Sequence, residues 1–519
     1  MACRSSVISN PETFMLDKYV KRILQSRVYD VAVETPIHAA PLISKRIGNR
    51  VLLKREDLQP VFSFKLRGAY NKLCQLSQEQ LDRGVICASA GNHAQGMALA
   101  ATSMGVKATI VMPRTTPDIK VNSVRNHGGK AVLHGDSFDE ALAHARILEE
   151  KGGLTFVHPY DDPDVIAGQG TVGMEILRQL SGDLDAIFIP VGGGGLAAGV
   201  AAYVKYVRPD VKIIAVEPED AACLKAAMEK KRRVVLKEVG LFADGVAVRQ
   251  IGKETFRILK DHVDEVITAT TDEICAAIKD SFEDTRAICE PAGALALAGM
   301  KNWVALHGVQ DKTLVAIQSG ANVNFDRLRH VSERAELGEQ REALLGVAIP
   351  EKPGAFRAFC QALGRRGITE FNYRYSDDRA ANIFVGIQLK PGGKALHGLL
   401  QELADKGYPV VDLSGNEMAK LHIRHLVGGH TSRQDLDERL FRVEFPERPG
   451  ALMAFLQSLG GKWNISLFHY RNHGAAYGRV LVGFQVEEGM GNQLLADLKK
   501  VPYPMVEESD NPAYRLFLN

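Results

Sequence analysis

Several features that mark other protein classes are missing from this sequence. No apolar run reaches the roughly 18 residues that a membrane helix needs, and 64 basic residues nearly cancel 62 acidic ones, for a net charge of +2. Neither a membrane protein nor a nucleic-acid-binding surface is therefore predicted. The seven cysteines are scattered without any Cys-x-x-Cys pair, which argues against a disulfide framework or a zinc site and favours reduced thiols in a cytoplasm.

The length of 519 residues exceeds what a single hydrophobic core supports, so several domains are predicted. An N-terminal helix is predicted in "NPETFMLDKYVKRIL", where a signal peptide would have an apolar segment. Short β-branched runs then alternate with helical stretches up to about residue 325, which predicts open, mostly parallel sheets. The predicted strands lie in "RVLLKRED", "GVICASA", "KATIVMP", "KAVLHG", "AIFIPVGGGG", "KIIAVEP" and "TLVAIQSG". Ligands of such sheets bind at the carboxyl ends of the strands.

The C-terminal part of the chain contains an internal repeat. "PEKPGAF" returns as "PERPGAL", "ITEFNYR" as "ISLFHYR", and "IFVGIQL" as "VLVGFQV". Each copy predicts a strand, a Pro-Gly turn, a helix and two strands, an α+β unit of βαββ type. We therefore predict a catalytic region of two α/β subdomains over residues 1–325, a helical connector over 326–340, and two small modules over 341–428 and 436–519.

Four consecutive glycines, Gly192, Gly193, Gly194 and Gly195, end one predicted strand and open a helix of small residues. Free N–H groups at such a turn form an anion site, most simply for a phosphate. A dinucleotide fingerprint fits too, since Gly192-x-Gly194-x-x-Ala197 has the spacing and Glu217 ends the next strand. A tight turn without a ligand is the plainer alternative. On the phosphate hypothesis, an aspartate at position 194 would place a charge against the phosphate.

One lysine is enclosed by aromatic residues in "FSFKLRG". Without other motifs, this lysine would be interpreted as a surface residue whose aliphatic carbons pack on a neighbouring aromatic ring. Two further strand ends change that interpretation: "SAGNHAQG" starts a helix suited to a carboxylate, and "QSGANVN" carries the hydroxyl of Ser319. A lysine, a phosphate loop, a carboxylate loop and a lone hydroxyl are the parts that pyridoxal phosphate and an amino acid require.

These motifs resemble those of the pyridoxal-phosphate enzymes of fold type II, the tryptophan-synthase-β type. "SFKLRGA", "SAGNHAQG", "PVGGGGLAAG", "EPAGALALAG" and "SGANVN" occur in that family's order, and the resemblance is closest to biosynthetic threonine deaminases. It covers nearly the whole chain, including the two repeats, which resemble ACT-like regulatory modules.

The resemblance implies a role for each motif. Lys65 would hold the cofactor as a Schiff base and then remove the Cα proton, with Phe64 packed beside the ring. Asn92 would bond the ring hydroxyl, and Ser319 would face the pyridine nitrogen as a neutral group. Glu290 could lie near the ring or be a surface carboxylate at a helix start. The glycine loop would bind the phosphate, and the substrate carboxylate would be held by Ser89, Ala90, Gly91, Asn92 and His93.

The expected activity is elimination of water from threonine, and more weakly from serine, giving 2-oxobutanoate and ammonia as the first step of isoleucine synthesis. The resemblance also implies that isoleucine inhibits the enzyme by binding to the repeats, that valine opposes this inhibition, and that the protein is a homotetramer. Two Pro-Gly turns and four aromatic residues are candidates for that effector site: Gly354, Phe371, Tyr373, Gly450, Phe468 and Tyr470.

Other functions stay open at this stage. Racemisation or β-replacement could use the same scaffold, and an oxidoreductase could use the glycines with Glu217. A non-catalytic amino-acid sensor would explain the repeats but leave Lys65 unused. The histidines His422, His425 and His430 lack an acidic or cysteine partner in sequence, so a metal site is not predicted.

Overall fold

The computed structural model describes residues 11–364, 366–374, 380–390, 394–426, 438–446, 451–458, 462–471, 477–487, 489–501 and 503–512. The chain divides into two compact units, Met1–Gly338 and Glu339–Asn519. Among the described residues, no helix is long and apolar enough to cross a membrane.

Over its described residues, 11–338, the first unit contains fourteen α-helices and ten strands. The helices are α1 Pro11–Leu24, α2 Pro41–Ile47, α3 Lys65–Cys74, α4 Gln78–Arg83, α5 Asn92–Ser103, α6 Asp118–Asn126, α7 Phe138–Gly152, α8 Pro163–Gln179, α9 Gly195–Val207, α10 Cys223–Lys230, α11 Lys253–His262, α12 Thr271–Thr285, α13 Pro291–His307 and α14 Arg327–Gly338. The strands are β1 Ile37–Ala39, β2 Arg50–Arg55, β3 Val85–Ala88, β4 Ala108–Met112, β5 Lys130–Leu133, β6 Thr155–Phe156, β7 Ala186–Pro190, β8 Lys212–Pro218, β9 Glu265–Ala269 and β10 Thr313–Gln318.

These strands form two sheets, one of six strands in the order β1-β2-β10-β7-β8-β9 and one of four in the order β5-β4-β3-β6. All neighbours are parallel except β1, which pairs antiparallel with β2 at the edge. Open, mostly parallel α/β sheets are therefore confirmed, and so are the seven predicted strands and the N-terminal helix. The sequence analysis missed β1, β6 and β9.

The four central strands of the six-stranded sheet, β2, β10, β7 and β8, are buried on both faces, as expected for parallel strands covered by helices. Leu314 and Ala316 of β10 join a core with α13, whereas their neighbours Val315 and Ile317 join a core with α8 and α9. This alternation is the twofold periodicity of a strand. It leaves the carboxyl ends of the strands as the place for polar side chains.

Helix α14 covers most of the predicted connector, and it packs on the first unit. Val331 and Ala335 belong to a core of that unit, and Arg334 pairs with Asp272 at 2.7 Å. A Cβ on Gly338 would lie 2.0 Å from the carbonyl oxygen of Asp272, so the end of α14 approaches α12 closely. The helix is thus an integral part of the first unit.

The described residues of the second unit form an antiparallel sheet of eight strands in the order β14-β11-β13-β12-β16-β17-β15-β18. Its elements are β11 Glu342–Pro350, α15 Ala355–Leu363, β12 Ile368–Arg374, β13 Ala380–Gln388, α16 Lys394–Asp405, β14 Val410–Asp412, a π-helical turn at Ala419–Ile423, α17 Arg424–Leu426, β15 Glu438–Pro446, α18 Ala451–Ser458, β16 Ile465–Arg471, β17 Tyr477–Gln485, α19 Gly491–Leu498 and β18 Met505–Glu507. The predicted βαββ order is present in both repeats. Each repeat adds a second helix and a short edge strand that the sequence analysis did not include.

The two repeats join through their second strands. β12 pairs antiparallel with β16, and one continuous core contains residues from both repeats. The eight-stranded sheet is therefore a single structure built from the two modules.

Candidate active site

One cavity in the first unit gathers most of the predicted site residues. It lies at the carboxyl ends of β7 and β10 and at the starts of α3 and α5. Its lining comprises Phe64, Lys65, Asn92, Tyr160, Pro190, Gly192, Gly193, Gly194, Gly195, Leu196, Gly245, Val246, Glu290, Ala292 and Ser319. Residues more than 250 positions apart in the sequence thus surround one space.

Lys65 is the first residue of α3 and the amine of the cavity. Its Nζ donates to the carbonyl of Pro159 at 3.2 Å and lies 5.2 Å from the centroid of the Phe64 ring. Burial lowers the pKa of Lys65 to about 8, and the nearby Glu290 acts in the opposite direction. A lysine with a lowered pKa is neutral in a larger fraction of molecules, which suits both a nucleophile and a base.

The glycine loop joins β7 to α9 and is packed so closely that side chains are excluded. A Cβ on Gly193 would lie 2.2 Å from Cγ of Tyr160, and one on Gly192 would lie 2.8 Å from Cα of Val246. Gly194 has φ of +92°, a conformation that favours glycine. Packing or backbone conformation therefore favours glycine at Gly192, Gly193 and Gly194, and at Gly195 a Cβ would lie a tight 3.1 Å from Tyr160.

The glycine loop fits a phosphate group. The first N–H groups of α9 have no acceptor within the helix, and they begin at Gly195 on the cavity wall. Such a helix N-terminus is a general anion site. The loop, the amine of Lys65 and the hydroxyl of Ser319 share one cavity, so the residues present fit pyridoxal phosphate.

The expectation for an aspartate at position 194 is corrected by the loop geometry. A Cβ on Gly194 would point behind the loop, 2.8 Å from Cδ1 of Ile251 and 3.0 Å from Cβ of Thr255. A side chain there would disrupt apolar packing and would not meet the phosphate directly.

Glu217 is engaged elsewhere and does not act as a ribose-binding acid. It is fully buried and accepts hydrogen bonds from the backbone N–H groups of Leu224 and Lys225 at 2.7 and 2.8 Å. Burial raises the pKa of Glu217 to about 7, against the lowering effect of those two bonds. The carboxylate is committed to the start of α10, which argues against the dinucleotide alternative.

Asn92 and Glu290 belong to one buried hydrogen-bond network. The Asn92 amide donates to Glu290 at 2.5 Å, and its oxygen accepts from the amide of Asn322 at 2.7 Å. Burial, followed by the charge of Asp244, raises the pKa of Glu290 to about 7. Glu290 is therefore a buried cavity residue at the N-terminus of α13, and the surface alternative is excluded.

The proposed carboxylate loop, residues 89–93, turns from β3 into α5. The Ser89 hydroxyl accepts from the N–H of Gly91 at 3.3 Å, and Ser89, Ala90 and Gly91 are half-exposed, whereas Asn92 and His93 are buried. His93 shares a contact of 3.2 Å with the carbonyl of Val157, and burial lowers its pKa to about 3. This histidine is neutral at physiological pH.

Ser319 follows the last residue of β10 and lies beside the lysine segment. Its hydroxyl donates to the carbonyl of Ala292 at 3.2 Å, and its own carbonyl accepts from the N–H of Phe64 at 3.3 Å. These bonds connect the two chain segments that carry Ser319 and Lys65.

Three residues that line the cavity lie outside every motif singled out in the sequence: Tyr160, Gly245 and Val246. Asn322 lies in "SGANVN", but its bond to Asn92 was not predicted. Tyr160 follows β6, a strand of two residues, and its ring covers Gly193. The segment "HPYDD" at the end of a strand was the available signal for it. Gly245 and Val246 lie on an irregular segment without any recognisable pattern.

The candidate effector residues lie in the second unit, and the four aromatic ones are buried in its core. Phe371 and Phe468 meet edge to face at 5.3 Å between ring centroids, and Phe371 pairs with Tyr470 across β12 and β16. Tyr373 donates to Glu351. Gly354 precedes α15 with φ of +87°, and Gly450 lies outside the described residues.

The described part of the chain contains no group of three or more histidine, cysteine or acidic residues placed to hold a metal. His422 and His425 lie in the helical segment after β14, and His430 falls outside the described residues.

Comparison with known proteins decides between the remaining families. The model of the pyridoxal-phosphate-dependent enzymes matches residues 28–320, and that of the C-terminal regulatory domain of threonine dehydratase matches residues 333–423 and 429–518. The biosynthetic L-threonine dehydratase of Burkholderia multivorans is 56% identical over 504 residues, covering 96% of this chain and 99% of its own. This chain belongs to the biosynthetic threonine dehydratases.

Solved structures agree with this membership. The processed form of threonine deaminase isoform 2 from Solanum lycopersicum is 51% identical, with a TM-score of 0.61 over 62% of this chain and 94% of its own. Maize serine racemase shares the scaffold at 32% identity, with a TM-score of 0.57 over 60% of this chain and 96% of its own. The threonine dehydratase family depends on pyridoxal phosphate, so the cofactor predicted from the motifs is confirmed.

Proposed function

We infer that this chain converts L-threonine, and L-serine more weakly, into a 2-oxo acid and ammonia. The observation that carries the inference is the meeting of Lys65, the glycine loop and Ser319 in one cavity of a chain that is similar to threonine dehydratases over 96% of its length. For threonine the products are 2-oxobutanoate and ammonia, a first step toward isoleucine.

We assign cofactor binding to four parts of the cavity. Gly192–Gly195 would hold the phosphate through their N–H groups, and Lys65 would bind the aldehyde carbon. Phe64 would pack beside the ring, and Asn92 would donate to the ring hydroxyl with its amide, whose orientation Glu290 fixes. Bound pyridoxal phosphate draws electrons from Cα of an amino acid and so acidifies the Cα proton.

Lys65 acts as the base on this proposal. With its amine free of the cofactor, Lys65 would accept the proton from Cα of the substrate. The pKa of about 8 keeps a useful fraction of the amine neutral. The β-hydroxyl would take up a proton and leave as water. The resulting enamine, once released, would take a proton at C3 and be hydrolysed to 2-oxobutanoate and ammonia.

The remaining polar groups would orient the substrate and favour elimination over racemisation. The substrate carboxylate would be bound by the Ser89 hydroxyl and by the backbone N–H groups of residues 90–93 at the start of α5. The neutral hydroxyl of Ser319 would not keep the pyridine nitrogen protonated, which disfavours a long-lived carbanion and favours prompt loss of the β-hydroxyl over racemisation.

The test is a product assay on the purified chain with pyridoxal phosphate. Threonine should yield 2-oxobutanoate and ammonia in equal amounts, serine should yield less product, and neither amino acid should be racemised at a comparable rate. Racemised serine as the main product would assign this chain to the racemase reaction instead.

We further propose that the second unit binds isoleucine, with valine opposing it, in a homotetramer in the cytoplasm. The match to a regulatory domain of threonine dehydratase supports an amino-acid effector. Contact with Phe371, Tyr373, Phe468 or Tyr470 would require these buried rings to move, which would couple binding to the pairing of β12 with β16. Activity titrated with isoleucine and valine, together with sedimentation of the intact protein, tests these assignments.

A further inference from the structure

The rear of the glycine loop is held by hydrogen bonds from two other elements. The Gly193 carbonyl accepts from the Thr255 hydroxyl at 2.7 Å and from the N–H of Gly252 at 3.3 Å. The Gly192 carbonyl accepts from the thiol of Cys223 at 3.4 Å. Thr255 and Cys223 are both fully buried, on α11 and α10.

These bonds determine where the N–H groups of the loop point. In a planar trans peptide the carbonyl and the following N–H point in opposite directions. Because the Gly193 carbonyl faces Thr255 behind the loop, the N–H of Gly194 faces the other way, toward the cavity side. Likewise, because the Gly192 carbonyl faces the thiol of Cys223, the N–H of Gly193 faces the cavity side.

The loop needs such restraint because glycine restricts its own backbone very little. Rotation of the Gly193–Gly194 peptide would turn a carbonyl oxygen toward the bound phosphate and remove an N–H donor from it. The Tyr160 ring already blocks one side of Gly193. On the other side, the Gly193 carbonyl accepts two hydrogen bonds, and the one from the Thr255 hydroxyl is the shorter.

Thr255 is itself fixed in position. Asp161 accepts from the backbone N–H groups of Lys253, Glu254 and Thr255 at 2.8, 2.8 and 3.3 Å, which caps the start of α11. Asp161 directly follows Tyr160, so one short segment of chain supports both sides of the loop.

We propose that Thr255 is a positioning residue for the phosphate of the cofactor: its hydroxyl fixes the Gly193 carbonyl so that the N–H of Gly194 faces the phosphate. The inference rests on the proposed function, because it takes the glycine loop to be the phosphate site. Thr255 does not line the cavity, and it acts through the loop.

The test compares Thr255→Val, which keeps the shape and removes the hydroxyl, with Thr255→Ser, which keeps the hydroxyl. The dissociation constant of pyridoxal phosphate is measured by titrating the cofactor-free protein and following absorbance. Valine should weaken binding about tenfold, a typical loss for one buried hydrogen bond, and serine should stay within about twofold of the wild type. At saturating cofactor, kcat of the valine variant should approach that of the wild type.

Thr285→Val is the matched control, because Thr285 donates to the carbonyl of Ser281 within α12 and neither residue lines the cavity. It should leave cofactor affinity unchanged. Stabilisation of the cofactor-free protein by inorganic phosphate gives a second readout, which Thr255→Val should diminish and Thr255→Ser should retain. If valine at 255 destabilises the cofactor-free protein too far to titrate, Thr255→Ala replaces it with the same expectation.

Wild-type cofactor affinity in Thr255→Val, or a serine variant as weak as the valine one, would overturn the assignment. Cofactor affinity and stabilisation by phosphate are measured without turnover and are therefore separate from the test of function. A wild-type protein that fails to dehydrate threonine would refute the proposed reaction, while a serine-rescued loss of cofactor affinity would still support the role of Thr255.

Discussion

Asn92 and Glu290 share a hydrogen bond of 2.5 Å inside the cavity, although 198 positions separate them in the sequence. Glu290 is 4% exposed, and its burial raises its pKa to about 7 from an ordinary 4.5. Between these two values the folded protein binds a proton that the unfolded chain does not. Folding stability should therefore fall as the pH rises through this window.

The first prediction follows from that difference. Relative to Glu290→Gln, the wild type should lose roughly 3 kcal/mol of unfolding free energy between about pH 4.5 and pH 7. Urea unfolding of both cofactor-free proteins across this range measures it. Glu217 also has a raised pKa, but it is common to both proteins and cancels in the difference. Parallel pH profiles for the two proteins would contradict the assignment.

The second prediction concerns the close packing of the glycine loop. Gly193→Ala would place a methyl group 2.2 Å from the Tyr160 ring, so the loop must shift. Affinity for pyridoxal phosphate should fall at least about tenfold, as measured by titration of the cofactor-free protein. Gly182→Ala is the control, since nothing lies within 4 Å of a Cβ there. An alanine at 193 that binds the cofactor normally would show that the loop has room to adapt.

The third prediction concerns the buried ion pairs of Arg67, which lies two residues after Lys65 on α3. Arg67 is fully buried and pairs with Glu56 at 2.8 Å and with Glu175 at 2.5 Å. Arg67→Met would leave two buried carboxylates with fewer partners and should cost about 3–5 kcal/mol of stability. Denaturant unfolding measures the loss.

Arg83→Met, which breaks an exposed pair with Glu79, is the control for that measurement and should change little. Equal effects of the two substitutions would mean that the buried network contributes no more than a surface pair.

The fourth prediction concerns regulation. A chain ending at Gly338 should still dehydrate threonine but no longer respond to isoleucine. The cores of the first unit are built from residues up to Ala335, and α14 closes one of them. A chain ending near Arg334 would cut α14 and should be less stable. Full isoleucine inhibition of the chain ending at Gly338 would place the effector site in the catalytic unit.

The sequence predicted features that depend on local patterns. Short β-branched runs identified seven strands, of which all but β5 are largely buried, and small or polar residues at strand ends located the site. β1 and β6 have three and two residues, too short for any periodicity to show. Tyr160 and Thr255 meet the glycine loop through tertiary folding. The segment "HPYDD" offered a local signal for Tyr160, and no local pattern indicated Thr255.

Lys65 is the residue on which the whole account depends. Lys65→Ala removes both the cofactor anchor and the base, and Lys107→Ala, at an exposed position, is the control. Formation of 2-oxobutanoate from threonine, measured for both variants and the wild type with saturating pyridoxal phosphate, is the most direct test. Turnover should fall by several orders of magnitude in Lys65→Ala and stay unchanged in Lys107→Ala. Near-normal turnover in that variant without added amine would contradict it.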